Sequence, residues 1–184
     1  GKKIKFLFIG SINNPDEFYM KGGFESLKTF SELKKMYPEI ELIIRCRIPN
    51  EIKEMNIEGV KFIENQLPWE ELEKIYQESH ILLMPAYGGY FIMAYLESFS
   101  YGIPIIALDT YGVNEFVINE KTGFHVQPSK YAPINAKEYP ANTRSAKFIE
   151  IIKNGDSLVI DSLVKQCSKL IKDKPYGKGG NAHS

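Results

Sequence analysis

The chain has 184 residues, of which 43% are hydrophobic, enough for one α/β domain with a core of its own. Its 23 Lys and Arg residues balance 23 Asp and Glu residues, which excludes the basic surface typical of nucleic-acid-binding proteins. Two distant cysteines and no visible secretory signal predict reduced thiols in the cytoplasm. The longest uncharged stretch contains Pro85 and the pair Gly88 and Gly89, so it does not read as a membrane span.

Apolar runs and helical spacing alternate along the chain. The first predicted elements are a strand at 2–9, a loop at 10–22, a helix at 24–37, a strand at 41–46, a helix at 51–57, a strand at 60–63 and a helix at 68–78. The next are a strand at 81–84, helices at 90–101 and 113–118 around a strand at 103–108, a strand at 124–126, an irregular segment at 129–143 and helices at 145–153 and 157–172. This alternation predicts one α/β domain over residues 1–173, with a doubly wound parallel sheet, followed by a flexible tail at 174–184.

One acidic residue stands out in the middle of the chain. Glu97 is the only charged residue between Glu78 and Asp109, and the predicted helix around it is apolar on every side. Such a helix is usually buried, and a buried carboxylate needs a partner. Glu97 therefore either meets a polar ligand, or it points to solvent or pairs with a lysine elsewhere. Ligands of open α/β sheets bind at the carboxyl ends of the strands, which favours the ligand.

Several further residues are candidates for binding phosphate. Gly88 and Gly89 precede a predicted helix, whose first N–H groups can bind an anion, although paired glycines also serve simple turns. Lys21 follows the first strand and could neutralise a diphosphate, although most lysines are only surface charges. Arg45 and Arg47 lie at a predicted strand end, on one face by alternation. A solvated pair is the default interpretation, and contact with a nucleotide is the alternative. The absence of the Walker and Gly-x-Gly-x-x-Gly patterns argues against an ATPase and a standard dinucleotide fold.

A longer run of residues resembles a known family. Glu97-Ser-Phe-Ser-Tyr-Gly102-Ile-Pro104-Ile-Ile-Ala107 resembles the Glu-Ala-Met-Ala-x-Gly-x-Pro-Val-Ile-Ala signature of retaining GT-B glycosyltransferases, the glycosyl transferase group 1 family. Further pieces follow in the family's order: Phe8-Ile9-Gly10, Lys21-Gly22, Val60-Lys-Phe62, the helix after Pro68, Gly112-x-x-Glu115 and Thr122-Gly123-Phe-x-Val-x-Pro128. The resemblance covers residues 4–128. It implies a Rossmann-like C-terminal domain, one half of a GT-B architecture.

The resemblance also implies a site for a nucleotide sugar. In the family, a carboxylate at the position of Glu97 holds the ribose hydroxyls, and a lysine at the position of Lys21 contacts the diphosphate, beside the positions of Gly10 and Ser11. Backbone amides before the helix contact phosphate and sugar. Those positions are Gly89, Tyr90, Phe91, Ile92 and Met93. No acidic pair has suitable spacing for a Mg²⁺ site beside the phosphates, so no metal or other cofactor is expected. No catalytic residue is predicted in this chain.

Three departures from the family pattern leave an alternative open. Ser11 stands where the family has an arginine, Gly89 where it has a second glutamate, and Tyr90 and Ile92 where it has loop glycines. The alternative is a non-catalytic nucleotide-sugar-binding module that has lost turnover. A Rossmann-like domain with unrelated ligands is disfavoured by the ordered series of motifs.

The family builds its active site between two domains. The resemblance therefore implies the donor-binding half of a glycosyltransferase, which transfers a sugar with retention once it is joined to an N-terminal acceptor domain. The chain by itself is expected to be inactive. The acceptor is unknown, and a membrane-associated acceptor, with the protein at the membrane surface, stays open. The sugar, the base and the oligomeric state do not follow from the sequence.

Overall fold

A computed structural model describes residues 3–88, 91–110, 112–127 and 146–173. The predictions made for 129–143 and 174–184 lie outside these residues. The elements of the first half are β1 (Lys5–Ile9), α1 (Asp16–Met20), α2 (Gly23–Met36), β2 (Glu41–Arg45), α3 (Asn50–Lys53), β3 (Val60–Ile63) and α4 (Trp69–Glu78). Those of the second half are β4 (Ile81–Leu83), α5 (Ile92–Ser100), β5 (Ile105–Leu108), α6 (Val113–Phe116), β6 (Gly123–Val126), α7 (Ala146–Ile152) and α8 (Ser157–Asp173).

The six strands form one parallel sheet in the order β3-β2-β1-β4-β5-β6. This confirms the doubly wound α/β fold. All residues of β4 and β5 are buried, as expected for inner strands covered on both faces. The chain winds outward from β1 to β3 and then returns to place β4 beside β1. The direction of winding therefore reverses between β1 and β4, and open α/β sheets bind ligands at such a point, outside the carboxyl ends of the strands.

The predicted loop at 10–22 contains a short helix, α1, which the sequence did not predict. The side-chain Oδ1 of Asn14 accepts a hydrogen bond of 2.9 Å from the Asp16 N–H, a turn that starts the helix. Phe18 and Met20 are buried in the core. A helix of five residues is too short for a periodic pattern, which explains why it was missed.

The expectation that α5 is buried on every side is wrong. One face packs on the sheet, and its buried residues are Ala94, Tyr95 and Ser98. The other face is exposed: Ile92 at 48%, Met93 at 65% and Leu96 at 47%. The sheet supports only one side of a helix, and nothing in the described parts of the chain covers the other. Within the parts of the chain that the structure describes, no helix is long and apolar enough to cross a bilayer.

Candidate functional site

The loop that follows β4, described over residues 84–88, lies at the reversal point of the sheet, and these residues are fixed to their surroundings. The Tyr95 hydroxyl, from α5, donates a hydrogen bond of 2.7 Å to the Met84 carbonyl oxygen. The Tyr87 N–H donates one of 2.8 Å to the Met20 carbonyl oxygen at the end of α1. The loop is therefore held between the helix that follows it and the segment that follows β1.

Gly22 allows the amino terminus of α2 to approach this loop. Its φ is +75°, and a Cβ at this position would lie 2.2 Å from the carbonyl oxygen of Pro85. Only glycine combines the left-handed backbone with such a close approach. The contact places Lys21, the preceding residue, near the reversal point between β1 and β4.

Lys21 is only 7% exposed and has an acidic neighbour. Its Nζ lies 3.9 Å from Oε2 of Glu17, one turn earlier. The charge of Lys21 also acts on Cys46, whose thiol donates to the Ser11 carbonyl oxygen. Burial raises the pKa of Cys46 to about 12, and the positive charges of Lys21 and Arg45 oppose this rise. Lys21 is thus close to the end of β1.

Arg45 and Arg47 do not form the solvated pair expected from the sequence. β2 ends at Arg45, so alternation does not extend to Arg47, which is exposed. Arg45 is half-buried, and its Nη1 donates a hydrogen bond of 3.3 Å to the carbonyl oxygen of Gly10. Its Nε is buried and makes no hydrogen bond with the described residues. A guanidinium therefore lies next to the glycine that follows β1, beside Ser11.

Glu97 is half-buried on α5, and its partner is a tyrosine. Oε2 of Glu97 accepts a hydrogen bond of 2.5 Å from the hydroxyl of Tyr76 on α4. Tyr76 is 0% exposed. The sequence analysis expected a ligand, solvent or a lysine, and it missed Tyr76. A buried tyrosine hydroxyl needs an acceptor, and the inward position of Tyr76 on α4 was the available signal.

A second buried carboxylate lies under the loop after β4. Glu25, in the first turn of α2, is 0% exposed and accepts a hydrogen bond from the hydroxyl of Tyr87. The pKa of Glu25 is raised to about 7, and burial is the largest cause. Hydrogen bonds from Tyr87 and from backbone N–H groups act in the opposite direction, and the nearby charge of Asp156 adds to the rise. Within the described chain, Oε2 of Glu25 has no hydrogen-bond partner. Sequence reasoning missed this pair, since its residues are 62 positions apart.

The other predicted site residues have different outcomes. Gly10 is buried and Ser11 half-buried at the end of β1. Phe91 is buried against Tyr95, with ring centroids 5.1 Å apart. The side chains of Ile92 and Met93 are exposed at the start of α5. Two further candidates lie outside the described residues: Gly89 and Tyr90. Among the residues that the structure covers, no three metal-binding side chains cluster.

Comparisons with known proteins agree with this fold. Residues 1–137 match the family description "Glycosyl transferases group 1". A search of curated proteins found no match. Among solved structures, the pneumococcal O-GlcNAc transferase GtfA, in complex with UDP and GlcNAc, is similar with a TM-score of 0.69 and 14% identity. The similar region covers 95% of this chain and 30% of that one.

Two further structures share the fold. The C-terminal domain of the glycosyl transferase group 1 family protein LpcC from Francisella tularensis has a TM-score of 0.56 and 15% identity, over 93% of this chain and 85% of that one. WaaG, a glycosyltransferase involved in lipopolysaccharide biosynthesis, has a TM-score of 0.57 and 15% identity, over 95% and 44%. The chain thus spans less than half the length of GtfA and WaaG. The Rossmann-like fold matches part of these glycosyltransferases, and because the family description matches most of its length, the chain belongs to the glycosyl transferases group 1 family.

Proposed function

We propose that this chain is the nucleotide-sugar-binding half of a glycosyltransferase that transfers the sugar with retention of its configuration. The observation that carries the proposal is the half-buried Glu97 on the helix that leaves the reversal point of the sheet, held there by Tyr76. A carboxylate in this position can accept hydrogen bonds from the ribose hydroxyls. Family membership supports transfer rather than a binding module without turnover.

The diphosphate would lie nearer to β1. Lys21 would supply one positive charge there, and the backbone N–H groups of Phe91, Ile92 and Met93 would supply further donors at the start of α5. Ser11 cannot contribute the charge that an arginine would. Arg45 offers a substitute, because its guanidinium already contacts the carbonyl oxygen of Gly10, next to Ser11. Two cations would then offset the charge of the diphosphate, although Glu17 partly offsets Lys21.

The ribose role of Glu97 can be tested by titration. Replacing Glu97 with Ala should weaken binding of the preferred nucleoside diphosphate by about 1.5–3 kcal/mol, the range for hydrogen bonds to a charged group. Calorimetry with uridine and guanosine diphosphates would measure the change. The matched control is Glu73→Ala. Glu73 is also half-buried and accepts a hydrogen bond of 3.2 Å from a tyrosine, Tyr101, but it lies on α4.

The control variant should bind within about twofold of the parent, which is less than 0.5 kcal/mol. If Glu97→Ala and Glu73→Ala both bound the nucleotide as the parent does, Glu97 would not hold the ribose. If the parent bound no nucleoside diphosphate at all, the donor-binding proposal itself would fail.

We propose that no metal ion mediates this binding. The positive field comes from Lys21, Arg45 and the amino terminus of α5, which can act on phosphate oxygens directly. Titrations in EDTA and in excess Mg²⁺ should therefore give dissociation constants that agree within about twofold. Binding that disappears in EDTA and returns with Mg²⁺ or Mn²⁺ would contradict the proposal.

The acceptor would be held by a second domain. The apolar face of α5, formed by Ile92, Met93 and Leu96, is exposed. Such a face supports the proposal that a second domain packs against it near the site. An acceptor must be held in line with the donor, and a single wall does not do so. The chain alone would therefore bind donor without sustained transfer.

Both cysteines are buried free thiols, which supports the cytoplasm as the compartment, and a membrane-associated acceptor is compatible with it.

A further inference from the structure

We propose that Tyr76 is a positioning residue that holds Glu97 in the orientation needed to recognise the ribose. The inference rests on the proposed donor site. It adds a residue on α4, outside the loop and helix that would contact the nucleotide. It also makes recognition of the ribose depend on packing between α4 and α5.

The position of the Tyr76 hydroxyl is fixed by its surroundings. The ring is 0% exposed and stacks on Tyr101, with centroids 5.3 Å apart and planes inclined by 6°. The hydroxyl of Tyr101 has a different acceptor from that of Tyr76: it donates a hydrogen bond of 3.2 Å to Glu73 on α4. Tyr101 directly follows the last residue of α5. The stacked pair therefore joins α4 to α5 and aims one donor at Glu97.

This donor orders a side chain that would otherwise move. Glu97 is half-buried, and a glutamate with solvent access samples several rotamers. Restricting such a side chain during binding lowers affinity. The bond from Tyr76 to Oε2 restricts it beforehand, and Oε1 makes no hydrogen bond within the described residues. One carboxylate oxygen is thus anchored, and the other is available to a hydroxyl pair.

A neutral donor suits this task better than a cation. A lysine or arginine at this place would pair with Glu97 and compete with the ribose hydroxyls for its charge. Tyr76 leaves the negative charge on the carboxylate. Burial and the hydrogen bond to Glu97 raise the pKa of Tyr76 above its ordinary value, so the hydroxyl keeps its proton at neutral pH.

The test is Tyr76→Phe, with Tyr101→Phe as the matched control. Each variant removes one hydroxyl from the same stacked pair and keeps both rings, but only the first changes the partner of Glu97. The ligands are uridine and guanosine diphosphates and their 2′,3′-dideoxy forms, titrated by calorimetry. We expect Tyr76→Phe to weaken binding of the preferred ribonucleotide about fivefold, and that of its dideoxy form by less than about twofold. Tyr101→Phe should leave both unchanged, and melting curves would verify folding.

A double-mutant cycle provides the second measurement. If Tyr76 acts through Glu97, adding Tyr76→Phe to Glu97→Ala should change affinity by less than about 1.5-fold. Equal losses for ribo and dideoxy ligands, or no loss for either, would overturn the inference while leaving the role of Glu97 intact. A parent that binds no nucleoside diphosphate, or a Glu97→Ala variant that binds normally, overturns the proposed donor site and this inference with it.

Discussion

Replacing Gly22 with Ala is expected to lower the free energy of unfolding by about 3 kcal/mol or more, from two separate causes. The backbone φ of +75° is left-handed, which costs a residue with a Cβ about 1–2 kcal/mol. The new methyl group would also lie 2.2 Å from the carbonyl oxygen of Pro85 and 2.7 Å from its Cγ. These neighbours belong to the tethered loop after β4, so they cannot move aside without breaking its hydrogen bonds.

Gly102 provides a matched control for this substitution. Its φ is +67°, nearly the same as that of Gly22, but no atom lies within 4 Å of a Cβ built there. Gly102→Ala should therefore show the backbone cost alone, about 1–2 kcal/mol. Urea unfolding of the parent and both variants would measure the two values at one temperature.

The difference between the two variants isolates the contact between Gly22 and Pro85. Equal losses for Gly22→Ala and Gly102→Ala would show that the loop after β4 yields to the methyl group, against the tethered geometry described above. A larger loss at Gly22 should be accompanied by weaker binding of the preferred nucleoside diphosphate, because the approach of α2 to Pro85 also places Lys21. Gly102→Ala lies away from that contact and should not weaken binding.

The order of strands and helices could be predicted because it depends on local patterns. Each inner strand is a short apolar run, and each is followed by helical spacing and a turn residue. Gly102 directly follows the helix predicted at 90–101, and its φ of +67° is the left-handed conformation in which glycine commonly ends a helix. The short α1 could not be predicted from the sequence, since five residues carry no periodicity. Phe18 and Met20 become buried only through tertiary contacts.

The sequence indicated candidate site residues but not their partners in the fold. A single acid in an uncharged stretch identified Glu97, and a lysine after the first strand identified Lys21. Their partners depend on packing between helices that are distant in sequence. Tyr76 lies 21 positions from Glu97, and nothing in the spacing distinguishes it from other inward residues of α4. The exposure of one face of α5 likewise depends on which elements pack around the helix. The apolar composition of the helix does not reveal this.

Glu25 makes the stability of the domain depend on pH. Its pKa is raised from 4.5 to about 7, first by burial, so the folded chain binds this proton more tightly than the unfolded chain does. The stabilisation is fully present below pH 4.5 and is lost as pH rises towards and through 7. A shift of this size corresponds to about 3 kcal/mol in the free energy of unfolding.

The matched variant is Glu25→Gln, which has the same shape and carries no proton that titrates. Its amide oxygen can still accept the hydrogen bond from Tyr87. Chemical unfolding of both proteins between pH 5 and pH 8 should show the parent losing stability relative to the variant as pH rises. Comparing the two proteins cancels the titration of the three histidines, which both contain. The carboxylates with lowered pKa, such as Glu41 and Glu64, titrate below this window.

A difference between Glu25→Gln and the parent that stays constant from pH 5 to pH 8 would contradict a raised pKa for Glu25. The loss of stability with rising pH also affects the candidate site, because the partner of Glu25 is Tyr87, in the loop after β4. Ionisation of a carboxylate without solvent access would favour rearrangements that bring water to it, and the nearest segment to yield is this loop. Nucleotide affinity should therefore fall together with stability above pH 7 in the parent, and stay level in Glu25→Gln.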